Sequence, residues 1–351
     1  MCFEKTILAE IEKCYAVSGL VINGKPVLIY AGEGNGSIHI FHGENFSEHQ
    51  ILTEGRGGTM SIVPFAEKEG WFFESRGFYS MVDSEDSVIE LVRYRDGKFE
   101  QPVAVASLAY LHRFGIVEAA NGKKYIVAAS LHSFKEDKED WSHPGHVYYA
   151  ELPENLEENF ELELTKLPGE YYMNHGFCTG VISGRTAAFT TSREGVFAWF
   201  PPEANGGEWQ CEQLLDFPVS DIAVQDIDGD GVEELAVLLP FHGDQCKVYR
   251  KADGGYVEMY ASPEENDFYH AIISATINGK KVFVGGARKG VMDLFILSFD
   301  EASSGIALQQ VDVGVGPSNL AALNLPDEDL ILSANRMIFE AAYYSLPKCN
   351  T

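Results

Sequence analysis

A unit of about 45 residues recurs along the whole chain, and a recurrence of that length restricts the fold to repeated supersecondary units. Each unit reads as an alternating apolar strand, a tight turn, a second apolar strand, a loop and a third strand. The clearest turns are Asn23-Gly24, Asn121-Gly122, Ser183-Gly184 and Asn278-Gly279. Such dipeptides favour hairpins because both central turn residues need positive φ. The units begin near residues 14, 59, 112, 175, 221, 270 and 318. Seven of them predict an all-β, seven-bladed β-propeller spanning 1–351 as one domain. The last unit runs out of chain soon after Tyr344, so residues 1–13 are expected to supply its missing outer strand. That would close the ring and remove an open sheet edge. A helix over 3–15 is the alternative.

Charge narrows the partners. Lys and Arg number 26 against 53 Asp and Glu, for a net charge of −27. An anionic surface argues against nucleic acid or an anionic membrane as a partner. No apolar run reaches the roughly 18 residues of a membrane span, and the first residues lack the basic-then-apolar order of a secretory signal. The expected location is the cytoplasm. Cys2, Cys14, Cys178, Cys211, Cys246 and Cys349 show no paired spacing, so free thiols are expected in a reducing compartment.

Propeller geometry puts the starts of first strands, and the loops after second strands, on one rim of the disc. At first-strand starts stand His112, His175, Asp221 and His270, with Ser318 and Asn319 in blade 7 and Thr59 in blade 2. Single histidines at such positions are usually structural. Three of them at one phase of neighbouring blades, beside Asp221, suit a borderline divalent ion such as Zn²⁺, Mn²⁺ or Fe²⁺. The loops after second strands carry Arg76, His132, Arg193, His242, Arg288 and Arg336. Cations recurring at this phase predict a local positive funnel for a small sugar or sugar-derived anion, which Arg76 and Arg336 would help bind. Salt links between blades are the plainer account of any one of these arginines. The long loop 131–146 holds Trp141, His143 and His146, expected to bind substrate as a lid.

One loop departs from the others. Blade 5 replaces its hairpin turn with Asp226, Asp228, Asp230 and Glu234, which fall at positions 1, 3, 5 and 9 of a calcium-type loop; position 12 is Val237. The spacing suits oxygen ligation of a structural Ca²⁺ on the opposite face. Strands rather than helices flank it, and the stretch resembles the FG-GAP repeats of integrin-type propellers.

Taken together, the segments HRFGIVEAANGKKYIVAASLHSFKEDKEDWSHPGHVY, MNHG, SDIAVQDIDGDGVEEL, PFHGD and FYHAI resemble the propeller domain of aldos-2-ulose dehydratase (1,5-anhydro-D-fructose dehydratase) and its bacterial relatives. The resemblance covers blades 3 to 6, and the chain lacks that family's second propeller and cupin-like domain. It implies a metal-assisted lyase acting on an oxidised keto-sugar, or an isomerase. Elimination β to a carbonyl needs a base, an acid and an electrophile. His132 and His242 would be the base and acid, and Arg193 and Arg288 would stabilise developing negative charge. A non-catalytic binding propeller is the alternative. A lactonase-type hydrolase fits less well, because the imidazole-rich rim does not match the oxygen ligands of a hard ion.

Overall fold

Seven four-stranded antiparallel sheets surround one axis in the computed structural model, which describes residues 2–55, 57–263 and 266–348. Each sheet is a meander whose first strand is innermost. The first strands are Cys14–Ile22, Ile62–Pro64, Leu111–Glu118, Phe177–Ile182, Asp221–Gln225, Tyr269–Ile277 and Asn319–Asn324. The fold is thus the seven-bladed β-propeller that the repeat predicts. The N-terminal residues form a strand, Glu4–Glu10, paired antiparallel with the last strand, Glu340–Pro347. The ring is closed by joining the two ends of the chain, and no helix forms there.

Apolar alternation explains the packing. Inward residues of one blade meet those of the next, as where Phe73, Leu91 and Val105 of blade 2 pack on Leu111, Phe114 and Ile126 of blade 3. Fully burying one such side chain contributes about 1.5–3 kcal/mol, so these interfaces fix the disc as a rigid support. Three expected turns have both central residues left-handed: Asn23 and Gly24, Ser183 and Gly184, and Asn278 and Gly279. The fourth differs. Only Gly122 is left-handed there, while Asn121 Oδ1 accepts the Lys123 backbone N–H at 3.0 Å.

The feature that builds the site is a bulge at the entry to the inner strands. Register shifts between Leu111 and Arg113, Tyr269 and Ala271, and Cys14 and Ala16 leave His112, His270 and Tyr15 as the extra residues. A bulge re-aims a side chain that regular pleating would place elsewhere. A left-handed residue precedes each by two positions: Lys13, Tyr110 and Phe268. Met173 stands in the same relation to His175, and Gly316 to Ser318. Large residues rarely adopt this conformation, and such strain gathers at functional positions.

Cys2, Cys14, Cys178, Cys211 and Cys246 are free thiols; Cys349 lies outside the described residues. Among the described residues no helix is long and apolar enough to cross a membrane.

Candidate functional site

Residues at the entries to neighbouring inner strands are tied to one another around the channel. His112 Nδ1 lies 3.0 Å from the His175 carbonyl oxygen, and His175 Nδ1 lies 3.0 Å from the Ser220 carbonyl oxygen. His270 Nδ1 is 2.6 Å from the Ser318 carbonyl oxygen, and Ser318 Oγ donates to the Cys14 carbonyl at 2.9 Å. A carbonyl only accepts, so each of these Nδ1 atoms carries its proton and each Nε2 is a bare lone pair. Fixing the tautomer through Nδ1 is how proteins orient a ligating imidazole.

The chain places Ser220, not Asp221, at the blade 5 equivalent of these positions. Ser220 Oγ accepts the backbone N–H of His242 at 3.1 Å. This holds His242, itself left-handed at φ 48°, over the channel. Its ring stacks on Phe268 at 4.2 Å between centroids. His242 Nε2 stands 3.2 Å from His175 Nε2, and the ligand nitrogens of His175, His242 and His270 all lie within 4.8 Å of one another. These three residues form a possible metal-binding group. The Tyr15 hydroxyl is 3.4 Å from His270 Nε2, a contact in which Tyr15 donates.

This cluster differs from the set expected at the sequence level. His242, expected as an acid or base, belongs to the group. His112 lies beside it, its ring 4.5 Å from that of His175, but outside the three. Asp221 is buried and turned to backbone N–H groups, Ile222 N among them at 3.0 Å. Burial pushes its carboxyl up to about 6. His132 is fully buried, its ring 4.2 Å from Tyr110 and 6.1 Å from Trp141, and burial lowers it to about 4.

The positive funnel is largely spent. Arg76 pairs with Glu90 at 3.0 Å, and Arg336 Nε donates to Glu33 at 2.6 Å. Arg193 is exposed and lies over the Tyr172 ring. Salt links therefore account for Arg76 and Arg336, between blades for Arg336, as the plainer account had it, and within blade 2 for Arg76. Arg288 alone of that set faces the cluster, over the Phe268 ring at 4.8 Å, its guanidinium lowered to about 10 mainly by burial. Arg113 was not anticipated. It follows the His112 bulge, and its field reaches His112, His175 and His270. An arginine on a channel-lining strand was the available signal.

The long loop does not offer a free stacking surface. Lys135 Nζ sits 3.4 Å from the centre of the Trp141 ring, whose edge contacts Phe241. His143 is exposed against Phe134, and His146 Nδ1 donates to the Gly169 carbonyl at 3.1 Å; neither is in the cluster. All four imidazoles at the centre are held neutral, first of all by burial. His175 is lowered to about 3, while His112, His242 and His270 lie well below the usual range.

On the opposite face, ligand oxygens of Asp226, Asp228 and Glu234 also lie within 4.8 Å of one another, and Asp230 is outside that group. Lys281 Nζ is 3.0 Å from Asp226, and an Arg250 nitrogen is 3.7 Å from both Asp228 and Asp230. The groove near Asn23, Lys25, His42 and Tyr94 contains none of the cluster residues.

The fold and site define a β-propeller with a buried imidazole cluster at one mouth of its channel. No protein-family model matches the chain, and no curated protein matches it; neither the FG-GAP nor the dehydratase resemblance gains support there. A crystal structure of a Bacteroides fragilis protein proposed to be a 6-phosphogluconolactonase is similar in fold, with a TM-score of 0.55. It is 14% identical, covering 89% of this chain and 91% of that one. Similarity at this level of identity speaks to the propeller alone.

Proposed function

We propose that this propeller is a metal-dependent carbon–oxygen lyase or isomerase acting on an oxidised keto-sugar, with a divalent transition metal held by Nε2 of His175, His242 and His270. The observation that carries the reading is the 3.2 Å contact between His175 Nε2 and His242 Nε2. His175 is fixed with its proton on Nδ1, so its Nε2 lone pair faces its neighbour directly. Two tetrahedral ligands about 2.05 Å from one ion stand about 3.3 Å apart. Three imidazoles also match Zn²⁺, Mn²⁺ or Fe²⁺ better than a hard ion, which weighs against a Ca²⁺-dependent lactonase.

Bound there, such an ion would supply a Lewis acid for a sugar carbonyl. The remaining roles fall to the chain. His112 presents a free Nε2 lone pair beside the ligands, able to accept a substrate proton. Tyr15 offers its hydroxyl at the same edge. Phe241, Phe268 and Phe78 pack around the imidazoles and limit water. The keto-sugar class and the elimination chemistry rest on the sequence resemblance of blades 3 to 6.

The test is elemental analysis by inductively coupled plasma mass spectrometry of tag-free protein, wild type and His175→Ala. About one equivalent of zinc, manganese or iron, lost in the variant, is expected. Keto-sugars would then be screened for an ultraviolet-absorbing enone. A proton on His242 Nε2 would make the same contact an ordinary hydrogen bond. In that case no transition metal is found, the metal reading falls, and a non-catalytic ligand-binding propeller takes its place.

A further inference from the structure

We infer that Arg113 and Arg288 form an oxyanion subsite at the channel mouth, which takes the carboxylate or phosphoryl group of a small sugar-derived anion. The inference deepens the proposed function and rests on it for the reaction, though not for the binding itself.

Hydrogen-bond accounting supplies the first argument. Nε and Nη2 of Arg113 and Nε of Arg288 are buried without a hydrogen-bond partner. A guanidinium is a fork of donors that cannot lose its charge, and buried donors left open in a native fold call for a ligand or water. Other partly buried arginines of this chain are engaged. Arg76 has Glu90, Arg336 has Glu33, and Arg93 donates to the carbonyls of Leu156 and Glu158.

Charge is the second argument. In a chain with 53 acidic residues, an arginine without an acid is the exception. The acids whose fields reach these two are occupied elsewhere. Glu33, near Arg288, is held by Arg336. Asp221, near Arg113, is turned to the backbone N–H groups of Ile222, Ile272 and Phe177. The two guanidiniums flank the imidazole cluster, Arg113 next along its strand from His112 and Arg288 over Phe268, and both fields reach Tyr15, His175 and His270. Phe268 beneath Arg288 fixes that side chain by a cation–π contact.

The third argument joins the two parts of the site. Neutral imidazoles bring no negative charge to offset a divalent ion, and the Asp221 carboxyl near Arg113 is turned to backbone N–H groups. An oxyanion would supply what is missing. Cation and anion therefore bind with positive coupling, and by linkage each strengthens the other by the same factor, on the order of tenfold.

The test is isothermal titration calorimetry on the full chain, metal-stripped and zinc-loaded, with inorganic phosphate, gluconate and the neutral polyol glucitol. At least one anion is expected to bind while glucitol does not. Phosphate alone points to a phosphoryl group and gluconate alone to a carboxylate. Arg113→Met/Arg288→Met is expected to weaken that binding about 100-fold or more, since each charged hydrogen bond is worth tenfold or more. Arg193→Met, with one positive charge removed outside the site, should leave it unchanged. Arg288→Met alone serves if the double variant does not fold, with a loss of about tenfold. Absence of anion binding, or binding indifferent to Arg113 and Arg288, overturns the subsite even where zinc is bound. Anion binding that needs both arginines in a protein that holds no metal leaves the subsite standing and removes only the metal reading.

Discussion

Two triads of potential ligands lie on opposite faces of the disc, and they differ in how their outward atoms are satisfied. In the acidic turn, Asp226 accepts from Gly229 N at 2.8 Å, Asp228 from Asp230 N at 3.1 Å and Glu234 from Ile227 N at 2.9 Å. Lys281 and Arg250 supply the positive charge. Each of these carboxylates thus has a protein donor, while the three remain a possible metal-binding group. At the channel mouth the protein satisfies the rear nitrogens of His112, His175 and His270 through carbonyls of the next blade, with Tyr15 donating weakly to one outward nitrogen, and leaves guanidinium donors of Arg113 and Arg288 open. A conspicuous sequence motif draws its potential ligands from one short stretch, while the channel-mouth site draws on residues far apart in the chain.

The comparison breaks most directly on metal content. His175→Ala should weaken zinc binding by more than the 10–100-fold that loss of a mere outer partner costs, whereas Asp228→Ala should leave transition-metal content unchanged in the same mass-spectrometric assay. Equal losses in both would erase the distinction.

Acid titration sharpens it. His132, fully buried, has its folded pKa lowered to about 4 from an unfolded value near 6.5. Between these values the unfolded chain binds the extra proton, so stability is unaffected above pH ~6.5 and falls as pH drops towards ~4. His132→Phe should flatten that part of a pH series of urea melts, and an unchanged slope would assign the acid sensitivity to other histidines.

Smaller effects separate the two triads further. Glu234→Ala orphans the buried Ile227 N–H and should cost about 1–3 kcal/mol in chemical denaturation, with metal binding at the channel unaffected. Ser220→Ala removes the acceptor of the His242 N–H. It should cost only about 1 kcal/mol of stability, yet loosen zinc about tenfold by releasing a ligand. Lys281→Ala, breaking a half-exposed pair, should change stability by no more than about 1 kcal/mol. A larger loss there would mean that the acidic turn depends on its cation more than surface pairing allows.

Much of the fold was legible because its signals are local. Apolar alternation, Asn-Gly turns and the seven-fold recurrence each act over a few residues, and the short terminal unit implied the Glu4–Glu10 strand. The candidate site was legible in part. His175 and His270 were found by phase, while Asp221, the first residue of its strand, was taken for Ser220, which stands just before it. His242 was found but given another role. Arg113 was passed over because alternation offers no way to see that a bulge lets consecutive residues both reach the channel. Arg76 and Arg336 look like Arg288 in sequence, and only Glu90 on the neighbouring strand and Glu33 across the blade boundary distinguish them.

The sequence by itself therefore determined the blade count, the turns, the closing strand and the phase at which imidazoles would gather. The tertiary structure decided which nitrogens meet, which arginines remain unpaired and which cations brace the acidic turn. The physical reason is range. Strand and turn preferences are set by adjacent residues, whereas a site's open valences depend on which partners from other blades come within about 3 Å.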